Sequence, residues 1–163
     1  AALPPGRYVI EPRSAGNLWF SESAILNGRD TLATGVNIGR ENIGGLAVTL
    51  TSVQAQLSGA VTDNAGKAVA GAHVVYLRKD GAWMAGSAGL PGPEVGFQRT
   101  SRSGLYELRL NAGTYLVAAV VGEFPQNWGG VAFLRSMAPG ATEVKVSRGV
   151  PVRLPLIARA VGK

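Results

Sequence analysis

The 163-residue sequence contains no cysteine. That removes disulfides, zinc–thiolate sites and thiol nucleophiles together. Histidine is nearly as scarce. His73 is the only one, so no H-x-H or HExxH arrangement exists, and a metal ligand or catalytic base there has no partner histidine. Carboxylates number three Asp and seven Glu, and no spacing marks a pair for glycoside hydrolysis. Asp63 and Asn64 lack the regular acidic spacing of a calcium loop. The Gly-Lys of "DNAGKAV" lacks the preceding glycine of a phosphate loop, and no serine sits in a G-x-S-x-G elbow. The expectation is a chain without catalytic residues, cofactor or metal, hence no enzyme. No run of about 18 apolar residues occurs, so no helix is expected to insert in a membrane. Helical periodicity is nearly absent as well.

Apolar residues make up 46% of the chain and charged residues 16%, enough apolar surface to build a core. The 23 Gly and 9 Pro make it turn-rich without a Gly-X-Y period. Twelve Arg and four Lys give a net charge of +6. Arg7, Arg29, Arg40, Arg78, Arg109 and Arg135 lie in different segments, and only "RTSRSG" (99–104) bunches charge. A nucleic-acid binder would cluster its basic residues along one stripe, so no nucleic-acid partner is expected. Attraction to an anionic cell surface or polysaccharide stays open. No signal peptide is visible, and Ala1 reads either as a processed end or as the start of a fragment.

The apolar segments are short, rich in β-branched and aromatic residues, and separated by Gly, Pro, Asn, Asp and Ser. This is the signature of an all-β chain. Strands are expected at 7–11, 46–52, 56–62, 72–78, 105–110, 114–121, 142–147 and 151–157, with weaker candidates at 17–26 and 33–39. "VAFLRSM" (131–137) fits either a strand or a single helical turn. "VTDNAGKAV" reads as a polar turn between strands, with Gly66 at positive φ. "SAGLPGPEVG" (87–96) reads as a long surface loop. His73 alternates away from Ala72 and Val74 and is expected on the sheet face opposite the main core. "HVVYL" and "TYLVAAVV" are apolar on both faces, so Val75, Leu77 and part of 116–120 need a second cover. A neighbouring segment of the chain, for which residues 1–55 are one candidate, or another subunit is the expected source.

The chain also echoes itself. "LPPGRYVI" (3–10) matches "LNAGTYLV" (110–117), with Gly6 and Gly113, and Tyr8 and Tyr115, each 107 apart. "ATGVNIGRENIGGLAVTL" (33–50) resembles "ATEVKVSRGVPVRLPLI" (141–157), with Ala33 and Ala141, and Val36 and Val144, each 108 apart. Trp19 and Trp128 fall between, 109 apart. A near-constant offset at three anchors predicts a repeated module. The second copy is complete at 56–163, whereas residues 1–55 form the second half of a module whose first half is missing.

The second copy carries Gly59, Val61, Asp63, Gly66, Val69, Gly71, Ala72 and Val74, then Gly104, Tyr106, Gly113 and Tyr115. Those residues resemble the carboxypeptidase regulatory-like family, as found in tandem modules of secreted bacterial surface proteins. Ser103 stands where that family has Asp, and Ala112 where it has Pro. The resemblance implies a transthyretin-like (prealbumin-like, Ig-like) β-sandwich without catalysis, in an extracellular or cell-surface setting. An incomplete sandwich has unpaired strand edges, and these pair with other chains. The expected function is therefore a structural or interaction module whose partners are copies of itself, assembled head-to-tail into a surface fibre. Two alternatives stand beside it: a polysaccharide-binding module, and an accessory domain of a larger secreted protein or outer-membrane receptor. Trp19, Trp83 and Trp128 lie near turns; each reads first as a cap on the edge of a sandwich core, with an interface or stacking on sugar rings as the alternatives.

Overall fold

The computed structural model describes residues 3–10, 19–32, 34–41, 43–79 and 95–161. Trp83 and the part of the expected loop from 87 to 94 lie outside the described residues. The chain divides into two compact units, Ala1–Val53 and Gln54–Lys163.

The second unit is an all-β sandwich. Its strands are β6 (Ala55–Thr62), β7 (His73–Arg78), β8 (Val95–Arg99), β9 (Leu105–Leu110), β10 (Gly113–Val121), β11 (Thr142–Val146), β12 (Val152–Arg153) and β13 (Leu156–Ala160). One layer holds β9 and β12 on either side of β6. The other runs β11, β10, β7, β8, all antiparallel. Strand β13 crosses between them. Leu156 and Ile157 pair in parallel with β6, then Ala158–Ala160 pair in parallel with β10.

Alternation along these strands builds the core. Leu57 and Val61 of β6, Val74 of β7, Tyr106, Leu108 and Leu110 of β9, Tyr115 and Val117 of β10 and Leu156 of β13 meet between the layers. The Asp63 carboxylate accepts hydrogen bonds from the Ala65 and Lys67 amides, both at 2.9 Å, which closes the expected polar turn. Where the chain passes from β12 to β13, the Leu154 carbonyl crosses directly over Gly59, leaving no space for a Cβ there. The same carbonyl accepts the Tyr106 hydroxyl at 2.6 Å. A buried backbone acceptor is thereby satisfied, and burial raises the Tyr106 phenol above its ordinary pKa.

Two expectations need correction. Residues 131–137 form neither a strand nor a single turn. They form α1 (Val131–Met137), followed by a 3-10 turn at Ala138–Gly140. This helix and the segment before it supply the second cover. Val75 and Leu77 of β7, Val95 of β8, and Ala118 and Val120 of β10 pack against Leu134 and Met137, with Phe124, Trp128 and Phe133 around them. The cover for the outer face of the sheet is thus a neighbouring segment of the chain, one of the two expected sources, and it lies within the second unit. The helix was hard to read because it spans less than two turns, and its buried Leu134 and Met137 show a single i, i+3 spacing. The second correction is β8. Val95 and Gly96, assigned to the loop, begin a strand on the far side of β7.

The first unit has less regular structure. Strand β1 (Gly6–Tyr8) pairs antiparallel with β4 (Val36–Ile38). Strand β2 (Phe20–Leu26) pairs with β3 (Arg29–Asp30) and with β5 (Ala47–Thr51). Asn27, at φ 50°, and Gly28 make the tight β2–β3 turn. Ala24, Leu26, Leu32 and Val36 are its buried apolar residues.

The helical cover of the second unit predicts a large effect at one side chain. Leu134→Ala should destabilise that unit by about 2–5 kcal/mol, read as a lowered midpoint in a urea titration. An equivalent truncation at exposed Leu105 should leave the midpoint within about 0.5 kcal/mol of the parent.

Candidate functional site

Among the described residues no group of three or more His, Cys, Asp or Glu side chains gathers in a way that could hold a metal ion. Among the described residues of the second unit lies an open groove of about 760 Å³. Arg99, Tyr106, Glu107 and Arg153 are among its lining residues, and Glu107 is the single carboxylate in it. No carboxylate pair converges there.

His73 does lie on the outer face of the sheet, under the helical cover. It is buried, its ring stacks on Phe124 at 4.0 Å and 9°, and its Nε2 accepts a hydrogen bond from Arg99 Nε at 3.0 Å. Accepting at Nε2 requires the neutral ring with its proton on Nδ1. Burial first, and the neighbouring Arg99 charge second, hold the His73 pKa below its ordinary value. The geometry is that of a packed structural histidine.

The tryptophans are placed differently from one another. Trp128 is half-buried, with its ring edge-on to Phe97 at 4.9 Å and roughly parallel to Phe124 at 6.3 Å. Trp19 precedes β2 and is 51% exposed.

The feature that sequence reasoning located only in outline is the first unit's resemblance to part of the second. In β1, Gly6 lies opposite Ile38 and Tyr8 opposite Val36. In β10, Gly113 lies opposite Val146 and Tyr115 opposite Val144. The two ladders have the same register at offsets of 107 and 108 residues. The tyrosines also make the same bond. Tyr8 donates its hydroxyl to the Pro4 carbonyl at 2.7 Å, and Tyr115 donates to the Asn111 carbonyl at 3.1 Å, each four residues back. The segments between diverge: after Trp19 comes strand β2, whereas after Trp128 comes helix α1.

The offset of 108 residues continues into β5. Leu46, Val48 and Leu50 correspond to Leu154, Leu156 and Ala158. The latter three pack in the core of the sandwich. Leu46, Val48 and Leu50 are 40%, 39% and 38% exposed. Val48 and Leu50 are alternate residues of β5 and share a face, and Leu46 directly precedes the strand, so the three make one partly exposed apolar row. Covering it would stabilise by about 1 kcal/mol per side chain. The edges are open as well. In the second unit β10 lies between β11 and β7; among the described residues β1 pairs with β4 alone, and β5 with β2 alone. An uncovered row beside unpaired strand edges is a surface suited to another β-structure.

The buried neutral imidazole makes acid stability testable. His73 has a lowered pKa in the folded chain, so the unfolded chain binds its proton first. Its contribution is complete above the unfolded value of about 6.5 and is lost as pH falls through that value toward the folded one. Thermal melts from pH 8 to 4 should show this loss, and His73→Phe should flatten that limb. An unchanged slope in the variant would refute the assignment.

No protein-family model matches the sequence, and no curated protein sequence matches it significantly. Solved structures with a similar chain course include bacterial proteins. BcpA, the major pilin subunit of Bacillus cereus, is 13% identical over 69% of this chain and 31% of its own, with a TM-score of 0.43. The pilus 2b backbone protein of group B streptococcus is 12% identical over 99% of this chain and 54% of its own, at 0.41. A DUF3823 family protein from Bacteroides ovatus is 16% identical over 63% of this chain and 43% of its own, at 0.36. The chain spans about a fifth to about two-fifths of the length of the first structures it resembles. At these scores none of them fixes a family or a function for this chain.

Proposed function

We propose that the chain is a non-catalytic structural and interaction module of an extracellular or cell-surface protein, and that its first unit is the second half of a module of the same type as the second unit. The two units would then be tandem modules of the carboxypeptidase regulatory-like kind. The observation that carries the reading is the Leu46, Val48 and Leu50 row, which is exposed, while the corresponding Leu154, Leu156 and Ala158 are packed in a core. The shared tyrosine–carbonyl bond and the shared ladder register support it further. A half-sandwich is completed by strands from elsewhere. We place those strands on the next copy of the chain, giving head-to-tail assembly. Because the donating and accepting surfaces differ, such a contact does not close on itself and grows into a fibre.

One observation favours a second reading. Trp19 is half exposed on the first unit, and an exposed indole stacks on sugar rings. Polysaccharide binding by this residue would appear as retention on an insoluble glycan that is lost in Trp19→Ala.

Sedimentation velocity across a hundredfold concentration range, followed by negative-stain electron microscopy, tests the main reading. Concentration-dependent oligomers and linear particles are expected. Val48→Lys with Leu50→Lys should abolish them while leaving the melting of the second unit unchanged. A uniform monomer at every concentration would refute the assembly.

A further inference from the structure

We infer that the accepting edge is β1 and that the donated strand is β8 of the next copy, running antiparallel with Arg99 opposite Tyr8, Gln98 opposite Val9 and Phe97 opposite Ile10. This rests on the reading of the first unit as a half-module and names the contact that would complete it.

The second unit shows what belongs beside such an edge. Strand β10, the counterpart of β1, is flanked by β7 with Arg78 opposite Tyr115, Leu77 opposite Leu116 and Tyr76 opposite Val117. Two features fix that register. Tyr76 packs its ring edge-on to Tyr115 at 6.2 Å. The Arg78 guanidinium lies across Gly113, where a Cβ would come within 3.2 Å of Nε. The flanking strand therefore offers an aromatic residue and, two positions on, an arginine, with a glycine as the floor beneath the arginine.

The floor recurs in the first unit. Gly6 is the counterpart of Gly113, and a Cβ there would meet only the Tyr8 ring, at 3.6 Å. No arginine of the described residues lies over it. Beyond Tyr8, Val9 is 40% exposed.

Strand β7 itself is locked between β10 and β8 and cannot be donated. The strand must come from an edge. Among the described residues three strands of the second unit longer than two residues pair on one side only: β8, β9 and β11. Strand β11 reads "TEVKV", with neither an aromatic residue nor an arginine. Strand β9 reads "LYELRL", where Tyr106 and Arg109 are three apart and so point to opposite faces. Strand β8 reads "VGFQR". Phe97 and Arg99 are two apart and share a face, as Tyr76 and Arg78 do in β7. On the face under the helical cover, the Phe97 ring meets Phe124 at 4.8 Å and Trp128 at 4.9 Å, and the side chain is still 39% exposed. Arg99 has its Nε committed to His73, and its terminal guanidinium nitrogens make no hydrogen bond to the described residues, so they can reach across to Gly6. The occupant is thus a second copy of this chain, since this chain supplies an edge strand with the required pattern.

The absence of cysteine permits a clean test. Directly opposed residues of an antiparallel pair have Cα atoms about 4.5–5.5 Å apart, within the range a disulfide bridges. The full-length chain carrying Val9→Cys and Gln98→Cys should, after mild oxidation, give a ladder of covalent oligomers on a non-reducing gel. A control with Val9→Cys and Phe97→Cys places the thiols on opposite faces and should give at least tenfold less. Both positions in the main variant are exposed, and a melt equal to the parent's would show it folded. No ladder, an equal ladder in the control, or a disulfide closed within one chain would each overturn the inference. Oligomers of the parent chain without a ladder in the variant would overturn this register and leave head-to-tail assembly standing. A ladder from a chain whose parent sediments as a monomer would uphold the pairing and overturn the fibre.

Discussion

A row of apolar side chains on one face of a strand must be covered, and the rest of this structure follows from where that cover exists. In the second unit it is complete on both sides. The inner face of the β11–β10–β7–β8 layer lies on β6, β9 and β13, with fully buried Tyr115 and Val117 among the contacts. The outer face lies under α1 and the aromatic side chains of Phe124, Trp128 and Phe133. The same type of row in the first unit, Leu46, Val48 and Leu50, has no such cover. The one constraint is met in the second unit, whereas in the first unit the row is 38–40% exposed.

Much of the second unit was legible because its physics is local. Alternation fixed most strands to within a residue or two, and Asp63 announced a turn that its carboxylate then closes. The two-faced apolar character of β7 and β10 announced a second cover. Its source was not legible, because α1 is too short to display a period and its partners lie more than fifty residues away in sequence at Val75 and Leu77. Strand β8 was hidden by Gly96, which gives a weak strand signal, although the Tyr76 hydroxyl occupies the space its Cβ would need.

The candidate surface was legible only as an echo. Matching glycines and tyrosines at one offset could be seen in the letters, but the physical content of the match could not. That content is a hydroxyl bonded to a carbonyl four residues back in both units, and identical pairing of Gly6 and Gly113 with their partners. Of the tryptophans, Trp128 packs among aromatic side chains of the helical cover and Trp19 is half exposed. Position near a turn does not distinguish those two environments, since both turn-adjacent core and turn-adjacent surface favour a large amphipathic ring.

The central claim is that the β1 edge and the β5 row are completed by another copy of the chain. Amide hydrogen exchange of the unmodified protein, followed residue by residue at increasing protein concentration, tests this most directly. The account predicts that protection at residues 6–10 and 46–51 rises with concentration, while protection in β7 and β10 stays constant. Exchange at residues 6–10 and 46–51 that is independent of concentration would contradict it.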